Sequence, residues 1–163
     1  MPVGMNVDIK WQEQDGIISF KPNSDKRSGL ELVSHLKQND FLVSDFVAKN
    51  LEDIQELKIP AEIVILKGEL FADYDRTTKN ICCYAQSCGL TISSPEIAGL
   101  IRERFTDKDL QNMGLWSIVT MHEYIDKSLF YAYRGDLGPC LGSCYDQPDF
   151  GWGWFSGFAF IRP

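Results

Sequence analysis

The sequence predicts an α+β protein: a largely antiparallel sheet with two to four helices packed mainly on one face. Strand-like segments, rich in β-branched and aromatic residues, cluster in the last third of the chain, and segments with helical spacing lie in the middle. The regular strand-helix alternation of a parallel doubly wound sheet is missing from the sequence, which makes that architecture the weaker alternative. We expect about five to seven strands.

Length and composition indicate a single domain over residues 1–163. A chain of 163 residues can bury one complete core, and two independent cores of half that size would each be marginal. Hydrophobic residues make up 44% of the chain and charged residues 24%, which is typical of a globular protein that folds without a partner.

A hairpin opens the predicted fold. Asp15-Gly16 is a turn dipeptide, and an apolar run at residues 17–20 follows it directly. We therefore expect a strand around Trp11, a tight turn and a second strand over residues 17–20. The polar run at residues 22–28 ends the second strand.

Two helices are predicted after the hairpin. Residues 28–37 carry apolar side chains mainly at helical spacing, and residues 28–29 can start the first turn. Residues 41–43 either close a strand or lead into the second helix, for which Ser44 or Asp45 is the N-cap. This second helix is expected to carry much of the acidic surface of the protein.

The middle of the chain contains the predicted central strand. Residues 61–67 read AEIVILK, a continuous apolar run of strand length that is typical of a strand buried on both faces. Residues 69–74 follow Gly68 and predict another strand, or an extension of the first across a bulge. Residues 75–80 are predicted as a loop. Residues 81–90 fit either a strand or a short helix, because cysteine and alanine favour neither strongly.

Two capping patterns predict the next two helices. Ser93 and Glu96 have the spacing of a capping box, and Pro95 suits the first helical turn, so a helix should follow. Residues 106–109 repeat the arrangement. They predict a second, shorter helix that ends before Gly114.

The C-terminal third is predicted to be strands. Residues 115–124 and 129–133 resemble the two arms of a hairpin. A turn at residues 146–149 leads to residues 150–161, where rings alternate with small residues, as in a strand with one ring-bearing face. The alternating rings are Phe150, Trp152, Trp154, Phe158 and Phe160.

The net charge of the chain favours some classes of partner and argues against others. A net charge of −7 and a pI near 4.8 argue against binding to nucleic acid, which requires clustered Lys and Arg. Residues 40–75 hold nine carboxylates against three lysines, a net charge of −6. This segment predicts a contact with a basic protein through Glu52, Asp53 and Glu56. A solvated acidic face that keeps the protein soluble is the alternative.

The N-terminal sequence has neither the positive region nor the apolar region of a secretory signal. No apolar run approaches the ~20 residues that span a bilayer. We therefore expect a cytoplasmic protein of bacterial accessory type that does not contact a membrane. The five cysteines are expected to be reduced thiols.

Cysteine and histidine are the candidates for nucleophilic chemistry. A thiolate at Cys82, Cys83 or Cys140, with His122 as general base, would define a cysteine-dependent enzyme. No local signature of a cysteine protease surrounds any of the thiols. Since free cysteines mostly fill gaps in a core, the structural interpretation is favoured over the catalytic one.

Neither a metal nor a cofactor is predicted. A four-thiolate zinc site needs two closely spaced cysteine pairs. Cys140 and Cys144 have such spacing, but Cys82 and Cys88 are separated by five residues. The glycine-rich runs lack the following Lys-Ser/Thr pair and helix of a phosphate-binding loop.

The C-terminal rings predict a second kind of site, a pocket for a small apolar or aromatic ligand. Aspartates in this region also suit ordinary turns, and ring-rich strands can equally complete the core or close a homodimer. The predicted ligand-binding residues are Tyr133, Arg134, Asp136, Asp149, Trp152 and Trp154.

Three functions follow from these patterns. The leading prediction is a non-enzymatic binding protein, an accessory or immunity-like partner of a basic protein. The first alternative is a small-molecule binding module with an aromatic pocket formed by the C-terminal strands. The second alternative is the cysteine- and histidine-dependent enzyme.

Overall fold

The computed structural model describes residues 10–163, which form one eight-stranded sheet and five α-helices. The strands are β1 Gln12–Gln14, β2 Ile17–Phe20, β3 Leu42–Val43, β4 Glu62–Lys67, β5 Ser117–Thr120, β6 Ser128–Gly135, β7 Gly138–Tyr145 and β8 Ser156–Arg162. The helices are α1 Gly29–Gln38, α2 Asp45–Glu52, α3 Thr78–Ser87, α4 Glu96–Arg104 and α5 Asp107–Met113. The α+β prediction is confirmed, with one strand and one helix more than expected.

The strands follow the order β1-β2-β4-β8-β5-β6-β7-β3. All neighbours are antiparallel except β5 with β8 and β3 with β7, which are parallel. The last strand of the chain, β8, therefore lies between β4 and β5. The prediction that residues 61–67 form a buried central strand is confirmed, since residues 63–66 of β4 have no exposed surface.

Two apolar cores lie on the two faces of the sheet. Helices α1, α2, α4 and α5 pack on one face and form the first core with residues such as Ile63 and Ile118. Helix α3 packs on the other face, where Ile81 and Ala85 meet Val64 and Phe158 in the second core. The helices thus lie mainly on one face, as predicted.

The predicted opening hairpin is confirmed. Gln14 of β1 pairs with Ile17 of β2. Both turn residues have positive φ, 53° at Asp15 and 80° at Gly16. This conformation matches the right-handed twist of the two strands, and an Asp-Gly pair adopts it at low cost.

The first two helices begin where the sequence predicts. Ser28 caps α1, and its side chain and that of Glu31 form a complete capping box. Ser44 caps α2 by accepting from the backbone N–H of Val47.

The prediction of a strand at residues 69–74 is wrong. The chain there forms two 3₁₀ turns, Gly68–Leu70 and Asp73–Asp75. The guanidinium of buried Arg76 donates to the carbonyls of Gly68 and Phe71, which holds the segment in a turn. Phe71 is thereby placed in the second core.

Helix α3 resolves the ambiguity at residues 81–90 and corrects the predicted loop at residues 75–80. It begins at Thr78, and the side chain of Thr77 accepts from the N–H of Asn80. Ile81 and Ala85, one turn apart, are both buried in the second core. Tertiary packing thus selects the helix over a strand.

The two capping patterns differ in their outcome. Both predicted helices form, but Ser93 does not cap α4, because its N–H donates to the carbonyl of Met121 and it bridges to His122. The second pattern forms completely: Thr106 and Asp109 exchange both hydrogen bonds of a capping box at the start of α5.

Residues 150–155 are not a strand, contrary to prediction, and β8 begins only at Ser156. Gly151 instead bridges to Thr77, and the N–H of Trp152 donates to the carbonyl of Arg76. The sequence also gave no signal for β7. That strand reads GPCLGSCY and forms by pairing along the whole length of β6. No helix in residues 10–163 is long and apolar enough to cross a bilayer.

Candidate functional site

Large rings are exposed together at one end of the sheet. The strand register places Lys67 of β4 beside Gly157 of β8, and Ser156 of β8 beside Ser117 of β5. Ser117 in turn pairs with Tyr133 near the end of β6. Four residues flank these positions, and we name them together the aromatic end: Trp116, Arg134, Trp154 and Phe155.

The rings of the aromatic end are exposed but firmly held. The exposed fraction is 53% for Trp116, 60% for Trp154 and 41% for Phe155. The Arg134 guanidinium carbon lies 4.1 Å from the centroid of the Trp116 ring, a cation–π contact. The Trp116 N–H donates to the Phe155 carbonyl at 2.9 Å, and the Arg134 N–H donates to the Trp116 carbonyl at 3.0 Å. These bonds extend the sheet ladder, so the rings stand on a rigid frame.

The loop that carries Trp154 is anchored on the end of β4. Besides the carbonyls of Gly68 and Phe71, the Arg76 guanidinium donates to the carbonyl of Trp152 at 3.2 Å. A Cβ on Gly68 would lie 2.7 Å from the Trp154 carbonyl oxygen, so glycine is required at this close approach. Arg76 is therefore a positioning residue for this loop.

Exposed carboxylates surround the aromatic end. Asp15 lies in the β1–β2 turn, Glu69 follows β4, and Asp136 lies in the β6–β7 turn, all at the same end of the sheet. Lys67 forms ion pairs with Glu13 at 3.0 Å and with Glu69 at 3.5 Å. The centre of this surface is therefore aromatic and its rim is largely acidic.

The acidic segment at residues 40–75 does not form one surface. Glu52, Asp53 and Glu56, the predicted partner-binding residues, are exposed together at the end of α2, on the face of the first core. Residues 73–75 follow Phe71 on the opposite face. Glu62 forms an ion pair with Arg162 at 3.0 Å.

The structure distributes the six predicted ligand-binding residues over separate places. Trp154 and Arg134 belong to the aromatic end, and Asp136 and Asp149 are exposed in turns. Trp152 packs against Phe158 in the second core, with ring centroids 5.8 Å apart. Tyr133 stacks on Tyr131 at 4.4 Å and lines a cleft beside β3.

Two members of the aromatic end, Trp116 and Phe155, are not among the site residues predicted from the sequence. A signal for Trp116 was available, because the predicted hairpin of residues 115–124 and 129–133 brings the start of its first arm close to the end of its second arm, next to Arg134. Phe155 carried no such signal, since its position depends on the parallel pairing of β8 with β5.

His122 is hydrogen-bonded to the backbone at both ring nitrogens. Its Nδ1 lies 2.6 Å from the carbonyl oxygen of Glu123, and its Nε2 accepts from the N–H of Phe130 at 2.9 Å. Burial lowers the pKa of His122. Both ring nitrogens are therefore engaged by the backbone, and the imidazole is neutral.

Burial makes the thiols of two cysteines, Cys82 and Cys144, less acidic than a free thiol. Cys82 lines a groove beside α3 together with His122, but burial raises the pKa of its thiol to about 11. Burial also raises the pKa of Cys144 to about 12. Cys140 contacts the carbonyl of Gly138, and Cys83 is exposed on α3. In residues 10–163, no group of three or more His, Cys, Asp or Glu side chains is arranged to hold a metal ion.

The fold and its surfaces define an α+β protein with a rigid, exposed ring surface at one end of its sheet. Comparison with protein families, with curated proteins and with solved structures found no match to this chain.

Proposed function

We propose that this chain is a non-enzymatic interaction protein, of accessory or immunity-like kind, that binds a basic protein through the aromatic end. The observation that carries the proposal is the exposure of Trp116, Trp154 and Phe155 side by side on a rigid frame. Exposing such rings to water is unfavourable, and contiguous apolar surface on a protein commonly marks an interaction site.

The composition of this surface matches that of a protein interface. Trp, Tyr and Arg are the residues that contribute most to binding free energy at interfaces. Interfaces also combine an apolar centre with a polar rim. At the aromatic end the rim carries Asp15, Glu69 and Asp136. Together with the net charge of −7, this rim favours a partner that presents Lys and Arg around an apolar group.

Glu52, Asp53 and Glu56 contribute at longer range in this proposal. They are exposed on another face of the molecule, so they attract a basic partner before contact. Their expected effect is on the association rate and on its dependence on salt.

A peptide selection tests the proposal directly. The full chain selects binders from a random peptide library, and the dissociation constants of the enriched peptides are then measured. We expect peptides with cationic and apolar residues, and we expect the W116A/W154A variant to bind them at least about tenfold more weakly. Tyr74→Ala is the matched control, because Tyr74 is 83% exposed and lies outside the aromatic end. If no peptide is enriched, or if the double variant binds equally well, the proposed surface is wrong.

A charge variant tests the long-range contribution separately. The E52Q/D53N/E56Q variant should associate with the same peptides several-fold more slowly at low salt, with little change in the dissociation rate. Equal association rates for the variant and the wild-type chain would remove these three residues from the proposal.

A further inference from the structure

A groove beside α3 lies at the end of the sheet opposite the aromatic end, where β5 continues into Met121 and His122. It is an open groove of about 510 Å³, a volume within the size range of small-molecule sites. Its lining residues are Thr78, Lys79, Cys82, Ile92, Met121, His122, Glu123, Tyr124 and Pro148.

The walls of the groove are mainly apolar. Ile92 and Pro148 are exposed apolar residues of the lining, and Met121, which also lines the groove, is buried in the second core. The charged lining residues, Lys79 and Glu123, are exposed and opposite in sign. The walls therefore suit an apolar or aromatic body and do not by themselves select its charge.

A buried carboxylate lies behind the groove. Asp146 is only 3% exposed. Its Oδ2 accepts from the hydroxyls of Thr78 and Tyr124, the latter at 2.8 Å, and Thr78 in turn accepts from the indole N–H of Trp152 at 2.8 Å. Within residues 10–163, neither an ion pair with Asp146 nor a hydrogen bond to its Oδ1 is formed.

A buried carboxylate without a cation is an unusual arrangement. Removing an ionised carboxylate from water costs much free energy unless the charge is paired or hydrogen-bonded, and the hydroxyls of Thr78 and Tyr124 both donate to Asp146. The negative charge of Asp146 is also felt by its neighbours. After burial, it contributes to the raised pKa of Tyr124, Cys82 and Cys144. The region behind the groove is therefore negative, while Lys79 and Glu123 in the lining itself are exposed and opposite in sign.

We propose that the groove binds an organic ammonium group that is attached to an apolar or aromatic body. The body packs against Ile92 and Pro148, and the ammonium group donates to the Tyr124 hydroxyl oxygen, where the negative charge of Asp146 directly behind that hydroxyl attracts it. His122 does not repel this cation, because its imidazole is neutral. The ammonium group belongs either to a free amine or to a lysine side chain of a peptide. This site is separate from the aromatic end and does not depend on the function proposed there.

A matched pair of probes tests the site on the unmodified chain. Phenethylamine and 3-phenylpropionate share an aromatic body and carry opposite charges at neutral pH. Backbone amide NMR shifts report where each probe binds, and a titration gives its affinity. We expect phenethylamine to shift residues of α3 and residues 121–124, with an affinity at least about tenfold above that of the acid. Equal binding of the two probes, or shifts elsewhere, would overturn the proposal.

Amino-acid substitutions then test which residue recognises the positive charge of the amine. Asp146→Asn should weaken phenethylamine binding at least about tenfold, and Asp149→Asn, which changes an exposed carboxylate three residues away, should not. If Asp146→Asn does not fold, Tyr124→Phe and the exposed Ile92→Ala each still remove one proposed contact and should weaken binding several-fold. Unchanged affinity in all variants that fold would place the amine elsewhere.

The two sources of the ammonium group are distinguished by a third probe, the tripeptide Gly-Lys-Gly with blocked termini. Tighter binding of the peptide at residues 121–124 would assign the site to a lysine side chain. Binding of phenethylamine alone would assign it to a free amine. Failure of both probes would reject the site and would leave the aromatic end unaffected.

Discussion

His122 is held as a neutral imidazole by two backbone groups. Its Nδ1 hydrogen-bonds the carbonyl of Glu123, and its Nε2 accepts from Phe130, an arrangement that protonation would break. From the sequence alone this residue was a candidate general base, because it is one of only two histidines. A sequence gives no information about which backbone groups occupy the ring nitrogens.

The buried imidazole makes the stability of the protein depend on pH. The unfolded chain has the ordinary histidine pKa of 6.5, and burial lowers the pKa in the folded chain. The unfolded state therefore binds the extra proton first as the pH falls through about 6.5. The free energy of unfolding should decrease by about 1 kcal/mol between pH 7.5 and pH 5.5.

Urea unfolding of the His122→Asn variant at the two pH values checks this expectation. The variant should be less stable at pH 7.5 and should lose less on acidification than the wild-type chain. His35→Asn, which changes the exposed histidine, is the control and should retain the loss on acidification. An equal loss in wild type and His122→Asn would contradict the assignment.

At the scale of elements, local sequence patterns predicted the positions of the helices better than the hydrogen bonds that cap their N-termini. Ser93 has the correct spacing to cap α4, but its N–H pairs with Met121. At α5 nothing competes in this way, and Thr106 and Asp109 form the complete capping box. Local spacing therefore indicates a cap only where tertiary pairing leaves the residue available.

Removal of the hydroxyl group should have effects of different size at Thr106 and at Ser93. Thr106→Ala should lower the free energy of unfolding by about 1 kcal/mol, because it leaves the N–H of Asp109 in the first turn of α5 without its hydrogen-bond acceptor. Ser93→Ala should have a much smaller effect, since its hydroxyl lies 3.5 Å from the carbonyl of Met121 and caps no helix. Chemical denaturation of the two variants measures both effects. A larger loss for Ser93→Ala would contradict the structure of the α4 start.

Two elements were missed for the same physical reason. Strand β7 has a composition that does not favour strands, and it forms because every residue pairs with β6. Residues 69–74 have a composition that fits a strand, but buried Arg76 holds their carbonyls in turns. In both cases hydrogen bonds and packing in the folded chain override the local propensity of the segment.

At the scale of the whole molecule, the last strand closes the fold. β8 pairs with β4 along six residues and with β5 along four, and it supplies Phe158 and Phe160 to the second core. Both pairings join residues far apart in sequence to the last segment of the chain. The sheet can therefore become continuous only when this segment is present.

Removal of residues 156–163 should prevent cooperative folding. The deletion separates β4 from β5 and exposes the apolar surface of both cores, and the loss of each buried Phe alone costs about 3–5 kcal/mol. Near-ultraviolet circular dichroism and thermal unfolding should show no cooperative transition. Removal of Pro163 alone is the control and should leave the transition in place. A cooperative transition in the longer deletion would contradict the central position of β8.

The sequence by itself determined the α+β class, the opening hairpin, the places of four helices and the buried central strand. These features depend on contacts between residues close in the chain, or on an apolar run long enough to be unambiguous. It also predicted Arg134 and Trp154 as site residues, because rings and charges among glycines are visible in a linear sequence. The predictions at the ligand-binding residues, at Glu52, Asp53 and Glu56, at the cysteines and at His122 remain to be tested.

Only the tertiary structure decided which of these side chains meet. The parallel pairing of β5 with β8 brings Trp116 beside Phe155, and the packing of α3 brings Thr78 to Asp146. Each pair joins residues separated by tens of positions along the chain, and no local preference encodes such a contact. Surfaces and grooves arise from this long-range assembly, so a site made from several segments is visible only after the chain has folded.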